Sequence, residues 1–319
     1  MRSRVRKDNQ DRRPRLPFAL ALCWLCFCSL PIALSQGADI SLDQIRQLIA
    51  KDDFKAAETA LRQYQQTNKD SADGGFLLGY VLLRLNQPKE SLAEYTQAAK
   101  LSTPSAEDLR NVADDYALLN DFPDADKWML RAVRMNDKDP DTWYKMGRIR
   151  YSEQRFQDAV ICFQKALALE PRSVKAENNL GLAYEGLNRT EDATKAYRRA
   201  IDWQKGAPHP SEQPLLNLSI ILIDEGNAEE AIPLLKQAVE IAPQDPKIHD
   251  RLGQAYSAQN KLADAQREFE AAIALVPDNA AYHYLLGRVF HQQGEEQKAK
   301  GEFERAAALN GAHATPDTH

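Results

Sequence analysis

From residue 38 onward the chain resembles itself every 34 residues, and a period of that length is met by stacking one small supersecondary unit many times. Units begin at residues 38, 72, 106, 140, 174, 212, 246 and 280. One step alone is longer, at 38 residues, and its extra residues fall near 205–211, in Lys205-Gly206-Ala207-Pro208-His209-Pro210-Ser211. Two prolines so close together predict a loop insert. The units themselves are rich in Ala, Leu, Glu, Gln, Lys and Arg, with sparse Gly and no alternating runs of Val, Ile or Thr, which predicts helices throughout.

Within a unit the residue types recur by place. The eighth place holds Gly79, Ala113, Gly147, Gly181, Ser219, Gly253 and Gly287, with Ile45 as the exception in the first unit. The twentieth holds Ala57, Ser91, Ala125, Ala159, Ala193, Ala231, Ala265 and Ala299. Small residues on two facing helices let their axes approach closely, so these places predict where a first helix A crosses a second helix B. The twenty-fourth place is large and apolar (Leu61, Tyr95, Met129, Phe163, Tyr197, Leu235, Phe269, Phe303), while the twenty-seventh is Ala in all units but the first, which has Tyr64. Bulk and smallness alternate along helix B, so that each large side chain can settle onto a neighbour's small one. Pro171, Pro243 and Pro277 end helix B in three units.

Stretches such as Trp143-Tyr144-Lys145-Met146-Gly147, Phe156-Gln157-Asp158-Ala159 and Phe163-Gln164-Lys165-Ala166 resemble the tetratricopeptide repeat (TPR), and the resemblance covers roughly residues 38 to 311. It implies an all-α, right-handed superhelical solenoid of about eight helix-turn-helix repeats, whose helix A faces line a concave groove that binds peptides or protein segments. The solenoid is expected over 36–311 and a C-terminal tail over 312–319. Ser41 and Gln44 form a capping-box pattern ahead of the first helix, whereas nothing comparable follows Leu309. The last helix B, with Phe303 and Ala306, is therefore expected to leave an apolar edge for a partner, or for a second copy through self-association of the uncapped C-terminal repeat.

Residues 1–35 differ in kind. Arg2, Arg4, Arg6, Lys7, Arg12, Arg13 and Arg15 precede an apolar run over 16–34, and Ala33-Leu34-Ser35 has the small residues of a signal-peptidase site. Cleavage after Ser35 gives a periplasmic or secreted protein. The same run is long enough, at 1.5 Å per residue, to approach a hydrocarbon thickness of roughly 30 Å, so an uncleaved anchor with the repeats outside the cytosol is the alternative. This run is the only membrane contact expected. Cys23, Cys26 and Cys28 lie inside it, leaving Cys162 alone beyond, so the mature chain has no intramolecular disulfide.

Seven Lys or Arg against two Asp give this segment +5, so that of the whole chain's −5 the remainder carries −10. An acidic body excludes a general phosphate-backbone binder, and nucleic acid is not expected as a partner. No phosphate loop, nucleophile elbow or metal-ligand spacing occurs among the six histidines and Cys162, so neither catalysis nor a cofactor is expected. His249 and His283 share the fourth place with Trp143 and are expected to pack inside their repeats.

The resemblance implies that places 2, 5, 6, 9, 12 and 13 of helix A face the groove. They supply the candidate binding residues Tyr80, Tyr144, Arg148, Tyr151, Asn179, Asn217, Lys247, Arg251, Tyr284 and Arg288, with Phe76 and Lys175 nearby. One subset of the family clamps a partner's C-terminal carboxylates with Lys, Asn and Arg. Asn217, Lys247 and Arg251 match that pattern, but Asn178 and Leu182 stand where it gives Lys and Asn. Asn bonds a peptide C=O and N–H together, and Tyr and Arg commonly carry binding energy. The expected function is a non-enzymatic scaffold that holds a protein or peptide partner in this groove.

Overall fold

The computed structural model describes residues 40–313, and the expectations about the basic segment, the apolar run, its cysteines and residues 314–319 lie outside them. Sixteen helices form eight antiparallel pairs, with no strand among the described residues. The first four pairs are α1 (Leu42–Ala50) with α2 (Phe54–Thr67), α3 (Ala72–Arg84) with α4 (Pro88–Leu101), α5 (Ala106–Leu118) with α6 (Phe122–Met135), and α7 (Pro140–Ser152) with α8 (Phe156–Leu169). The second four are α9 (Val174–Gly186) with α10 (Thr190–Trp203), α11 (Gln213–Asp224) with α12 (Ala228–Ile241), α13 (Pro246–Ala258) with α14 (Leu262–Leu275), and α15 (Ala280–Gln293) with α16 (Glu296–His313). The array is the expected all-α solenoid.

Local signals explain the boundaries. Ser41 and Gln44 make a full capping box at α1, and α8, α12 and α14 stop two residues short of Pro171, Pro243 and Pro277. The fifteenth residue of every unit takes the left-handed conformation that ends helix A: Asp52, Asn86, Asn120, Gln154, Asn188, Gly226, Asn260 and Gly294, with φ between 54° and 80°. Asn, Asp and Gly suit that region, and Gln154 is the outlier. In the loop insert, Gln204 holds both ends of the bend, accepting from the Ser211 N–H at 2.9 Å and donating to its carbonyl at 2.8 Å. The last helix runs to His313, two residues into the stretch expected as tail.

The glycines of the eighth place show how a pair closes. A Cβ on Gly147 would lie 2.6 Å from the Phe163 ring, and on Gly181 2.4 Å from the Tyr197 ring. Gly79, Gly253 and Gly287 meet Tyr95, Phe269 and Phe303 in the same way. The small partner of each ring is thus the glycine on helix A of its own repeat, which refines the expectation of a neighbour's alanine. Place 20 sits beside this contact: the Ser91 hydroxyl donates to the Gly79 carbonyl at 2.8 Å.

Between repeats, each helix packs on its neighbours in sequence, and successive A helices touch (α3 with α5, α7 with α9, α11 with α13), so A faces line one side of the stack. One apolar cluster runs from Ala159 to Ala299, a second joins the first two repeats from Ile45 to Leu82, and a third runs from Ala113 to Cys162.

Candidate functional site

Along the concave side the A helices leave a chain of hollows. A first, of about 390 Å³, lies over repeats one to three and is lined by Arg46, Asp73, Phe76, Tyr80, Glu107 and Asn111 among others. A second, of about 500 Å³, is lined by Arg84, Asp114, Leu118, Lys145 and Arg148. A third, of about 270 Å³, lies over repeats six to eight, between Ile223, Gln254, Ser257, Leu285 and Arg288. All are open on one side, as a groove for an extended chain must be.

The expected site residues divide by what already holds them. Arg148 and Arg288 are exposed, line the second and third hollows, and make no ion pair among the described residues. Arg251 is half-buried and reaches only the Gln254 side chain, at 3.4 Å. The Lys247 ammonium has no ion-pair partner among the described residues; its backbone N–H is bonded to Asp245 as part of the helix start.

Others are engaged. Tyr144 packs 6.0 Å from Phe163, lies beneath the Lys175 ammonium at 4.8 Å, and accepts from Asn179 at 3.4 Å. Lys175 also pairs with Asp141 at 3.1 Å, so this group stitches α7 to α9. Tyr80 meets Phe54 edge-on at 6.4 Å and accepts from Arg84 at 2.8 Å. Tyr151 stands edge-on to Phe156 at 5.3 Å, and burial together with nearby Glu185 raises its hydroxyl above the usual tyrosine value. Asn217 gives one amide hydrogen to Asn178 at 3.0 Å. That bond joins two successive A helices through the residue that breaks the carboxylate-clamp pattern.

Tyr284 lies elsewhere. It is 52% exposed and sits with Phe303, Ala306 and Ala307 around a hollow of about 580 Å³ on the outer face of the last pair, where no further A helix among the described residues covers it.

Titratable groups in and near the groove are explained by packing. Burial raises Glu185, against the hydrogen bond it accepts from the Tyr197 hydroxyl, with Asp224 adding to the rise. Burial likewise raises Asp114 in spite of its Lys145 partner, Asp250 in spite of Gln254, and Glu177 in spite of Arg199. Cys162 is buried; desolvation pushes its thiol up to about 11 although the Arg150 guanidinium lies 3.4 Å from the sulfur. His249 Nδ1 is 2.7 Å from Glu268 and its Nε2 3.1 Å from the Pro243 carbonyl, and His283 repeats the geometry with Glu302 and the Pro277 carbonyl. Both imidazoles bind helix B to the preceding turn of the chain. Among the described residues no three His, Cys, Asp or Glu side chains are grouped to hold a metal ion, and no helix is long and apolar enough to cross a membrane.

One buried group had not been singled out from the sequence. Asp115 on α5 is fully buried, 2.5 Å from the Ser91 hydroxyl of the preceding repeat, and its Oδ1 has no partner among the described residues. Both residues are exceptions in their columns: Ser91 among alanines at place 20, and Asp115 among Val81, Ile149, Ala183, Ile221, Ala255 and Val289 at place 10, where Gln47 of the irregular first repeat is the other polar residue. Paired exceptions in adjacent repeats were the available signal.

Comparison with known proteins places these features. The human Protein O-mannosyl-transferase TMTC3 is 29% identical over 151 residues, which is 44% of this chain and 16% of that protein. The Peroxisomal targeting signal receptor of Candida glabrata is 37% identical over 68 residues, 21% of this chain and 12% of the receptor. The chain therefore matches less than a fifth of the length of either relative. The crystal structure of PilW, a type IV pilus biogenesis factor, superposes with a TM-score of 0.57 at 22% identity, covering 66% of this chain and 95% of that one, and shares the fold. Family profiles described as tetratricopeptide repeat match residues 42–108 and 144–210, 222–289, and 280–313. With the clasped glycines, the paired helices and the concave row of A faces, these matches establish that the chain belongs to the tetratricopeptide repeat family, whose fold is a scaffold for protein–protein interaction.

Proposed function

We propose that the chain is an exported scaffold that works outside the cytosol, in the periplasm or as a secreted protein, and holds segments of a partner protein along its concave face without a catalytic step of its own. The observation that carries this reading is the row of A faces on which Arg148, Arg251 and Arg288 form no ion pair among the described residues. A preformed groove of this kind lowers the ordering cost of binding, so modest contacts spread over several repeats add to a useful affinity. The Candida glabrata relative is a receptor for a targeting signal, which agrees with recognition of a polypeptide segment. The transferase relative supports no chemistry here, because the alignment spans 16% of it.

Export is supported by the basic segment, the apolar run over 16–34 and Ala33-Leu34-Ser35. The alternative, an envelope assembly factor that keeps this run as an anchor, is separated by the mass of the exported protein. A mature chain beginning at Gln36 is expected, and an intact one establishes the anchor. Binding is tested by photo-crosslinking in living cells from position 148, in the groove, and from position 165, on an exposed part of helix B. Partners are expected from position 148 and to be lost with Arg251→Ala; equal capture from both positions overturns the groove. Self-association belongs to the apolar face around Tyr284, and a sedimentation coefficient independent of concentration rejects it.

A further inference from the structure

The cations of the concave side are distributed unevenly. In the earlier repeats most are engaged, Arg110 with Asp139 at 2.6 Å, Lys145 with Asp114, and Lys175 with Asp141 at 3.1 Å, and Arg148 stands alone among them without an ion pair among the described residues. In the last two repeats Arg251 and Arg288 have no acidic partner among the described residues. Asp250, beside Arg251 in the chain, accepts from Gln254 at 2.8 Å and feels the Arg251 charge without forming an ion pair with it. An acidic body has thus left its densest run of unpaired groove cations, Lys247, Arg251 and Arg288, in the last two repeats.

Arg288 stands at the rim of the third hollow, whose walls are Ile223, Phe269, Leu285 and Val289. The Ser257 hydroxyl also lines it and is buried without a hydrogen-bond partner among the described residues. A buried hydroxyl left unpaired is costly, and a polar atom from outside relieves it. Apolar walls with a hydroxyl inside and a guanidinium at the mouth suit an aliphatic side chain carried on a polar backbone and followed by a negative charge.

We infer that the groove of repeats seven and eight recognises an extended acidic–apolar segment of its partner, with an aliphatic side chain in the hollow and side-chain carboxylates on Arg251 and Arg288. This rests on the groove reading above. The cations favour an internal segment over a chain terminus, because Arg288 adds a second A helix to the Lys247 and Arg251 pair of α13, while Asn178 and Leu182 stand where a clamp for a terminal carboxylate would need its Lys and Asn.

The test uses the full chain and three fluorescent peptides, acetylated and amidated, in which Leu alternates with Asp, Asn or Lys. At low salt the Asp peptide is expected to bind about tenfold more tightly than the Asn peptide, as charge-assisted bonds to Arg require. That margin should vanish in the double variant Arg251→Glu/Arg288→Glu, which should instead take the Lys peptide; an unchanged melting temperature shows that the variant is folded. Equal binding of the Asp and Asn peptides, or a preference that survives the double variant, overturns the charge assignment while leaving the groove reading in place. Binding that appears only when the C-terminal amide is replaced by a free carboxylate overturns the internal segment. Failure of all three peptides to bind sinks this inference, and the crosslinking experiment then decides the groove separately.

Discussion

Ser91 and Asp115 meet at 2.5 Å across the boundary between the second and third repeats, while the Ser91 hydroxyl lies 2.8 Å from the Gly79 carbonyl. A hydroxyl has one proton, and a carbonyl only accepts. The Ser91 proton therefore serves either an ionised Asp115 or the Gly79 carbonyl, and in the second case Asp115 bonds the hydroxyl only as a protonated carboxyl. Burial, followed by the opposing Ser91 bond and the nearby charge of Asp114, leaves Asp115 raised to about 7 from an ordinary 3.8. The boundary is also where the apolar cluster of the first two repeats ends, short of the next.

The sign of the pH dependence follows. Between pH 3.8 and about 7 the folded chain keeps a proton on Asp115 that the unfolded chain has lost. This contribution to stability is therefore largest at low pH and falls as pH rises, by up to about 1.4 kcal/mol per pH unit, levelling off above the folded value. Asp115→Asn, whose amide can donate to Ser91 at every pH, should flatten this part of the profile and be more stable than the parent at pH 8. Urea unfolding of both proteins from pH 4 to 8 checks it; parallel curves refute the assignment.

Gly181 and Gly301 should respond to Ala in opposite directions. A Cβ at Gly181 would lie 2.4 Å from the ring of Tyr197, which is fully buried. Overpacking of that kind costs about 1–3 kcal/mol, more than the gain in helix propensity. At Gly301, exposed within α16, an added Cβ meets nothing within 4 Å, so Ala should stabilise by about 0.5–1 kcal/mol. Thermal melting of the two variants gives the comparison.

Gln154 holds φ at 59° in a turn where the other repeats use Asn, Asp or Gly. A side chain in the left-handed region is strained, and Gln lacks the short polar group with which Asn bonds locally. Gln154→Gly is expected to stabilise by about 0.5–1 kcal/mol, read as a raised denaturation midpoint with unchanged slope. A loss of stability would mean that this side chain does more than its exposed position indicates.

Cys162 should be inert in the folded protein. With the thiol buried and pushed up to about 11, the thiolate fraction near pH 8 is below about one part in a hundred. Labelling by a disulfide reagent is expected only at the rate at which the chain opens, and to become immediate in denaturant. Rapid labelling of the native protein contradicts the placement of Cys162 against Arg150.

The sequence made most of the architecture legible because its contacts are periodic. Gly147 and Phe163 recur at matching places in other repeats, so their meeting is announced by columns of residue types, and Ser41 with Gln44 names a local bond within one turn. Contacts peculiar to one junction leave weaker traces. Nothing local to Asp115 says that Ser91 faces it, nor does Gln204 disclose that it closes the loop at Ser211 from both sides. The helical period put Arg148 and Arg288 on the A faces that line the hollows. It was silent on the share of Tyr144 and Asn217 already committed to Lys175, Asn179 and Asn178, since side-chain partners across repeats depend on stacking angle as well as on spacing.

The clasp of glycine and ring has a last consequence. In each case both members belong to the same helix-turn-helix unit, so a unit duplicated or deleted as a whole carries its own closure with it. The reach of the groove can therefore change in evolution by whole modules at little cost, whereas the Ser91–Asp115 boundary, whose halves belong to different modules, ties the second and third repeats into a pair that must be inherited together.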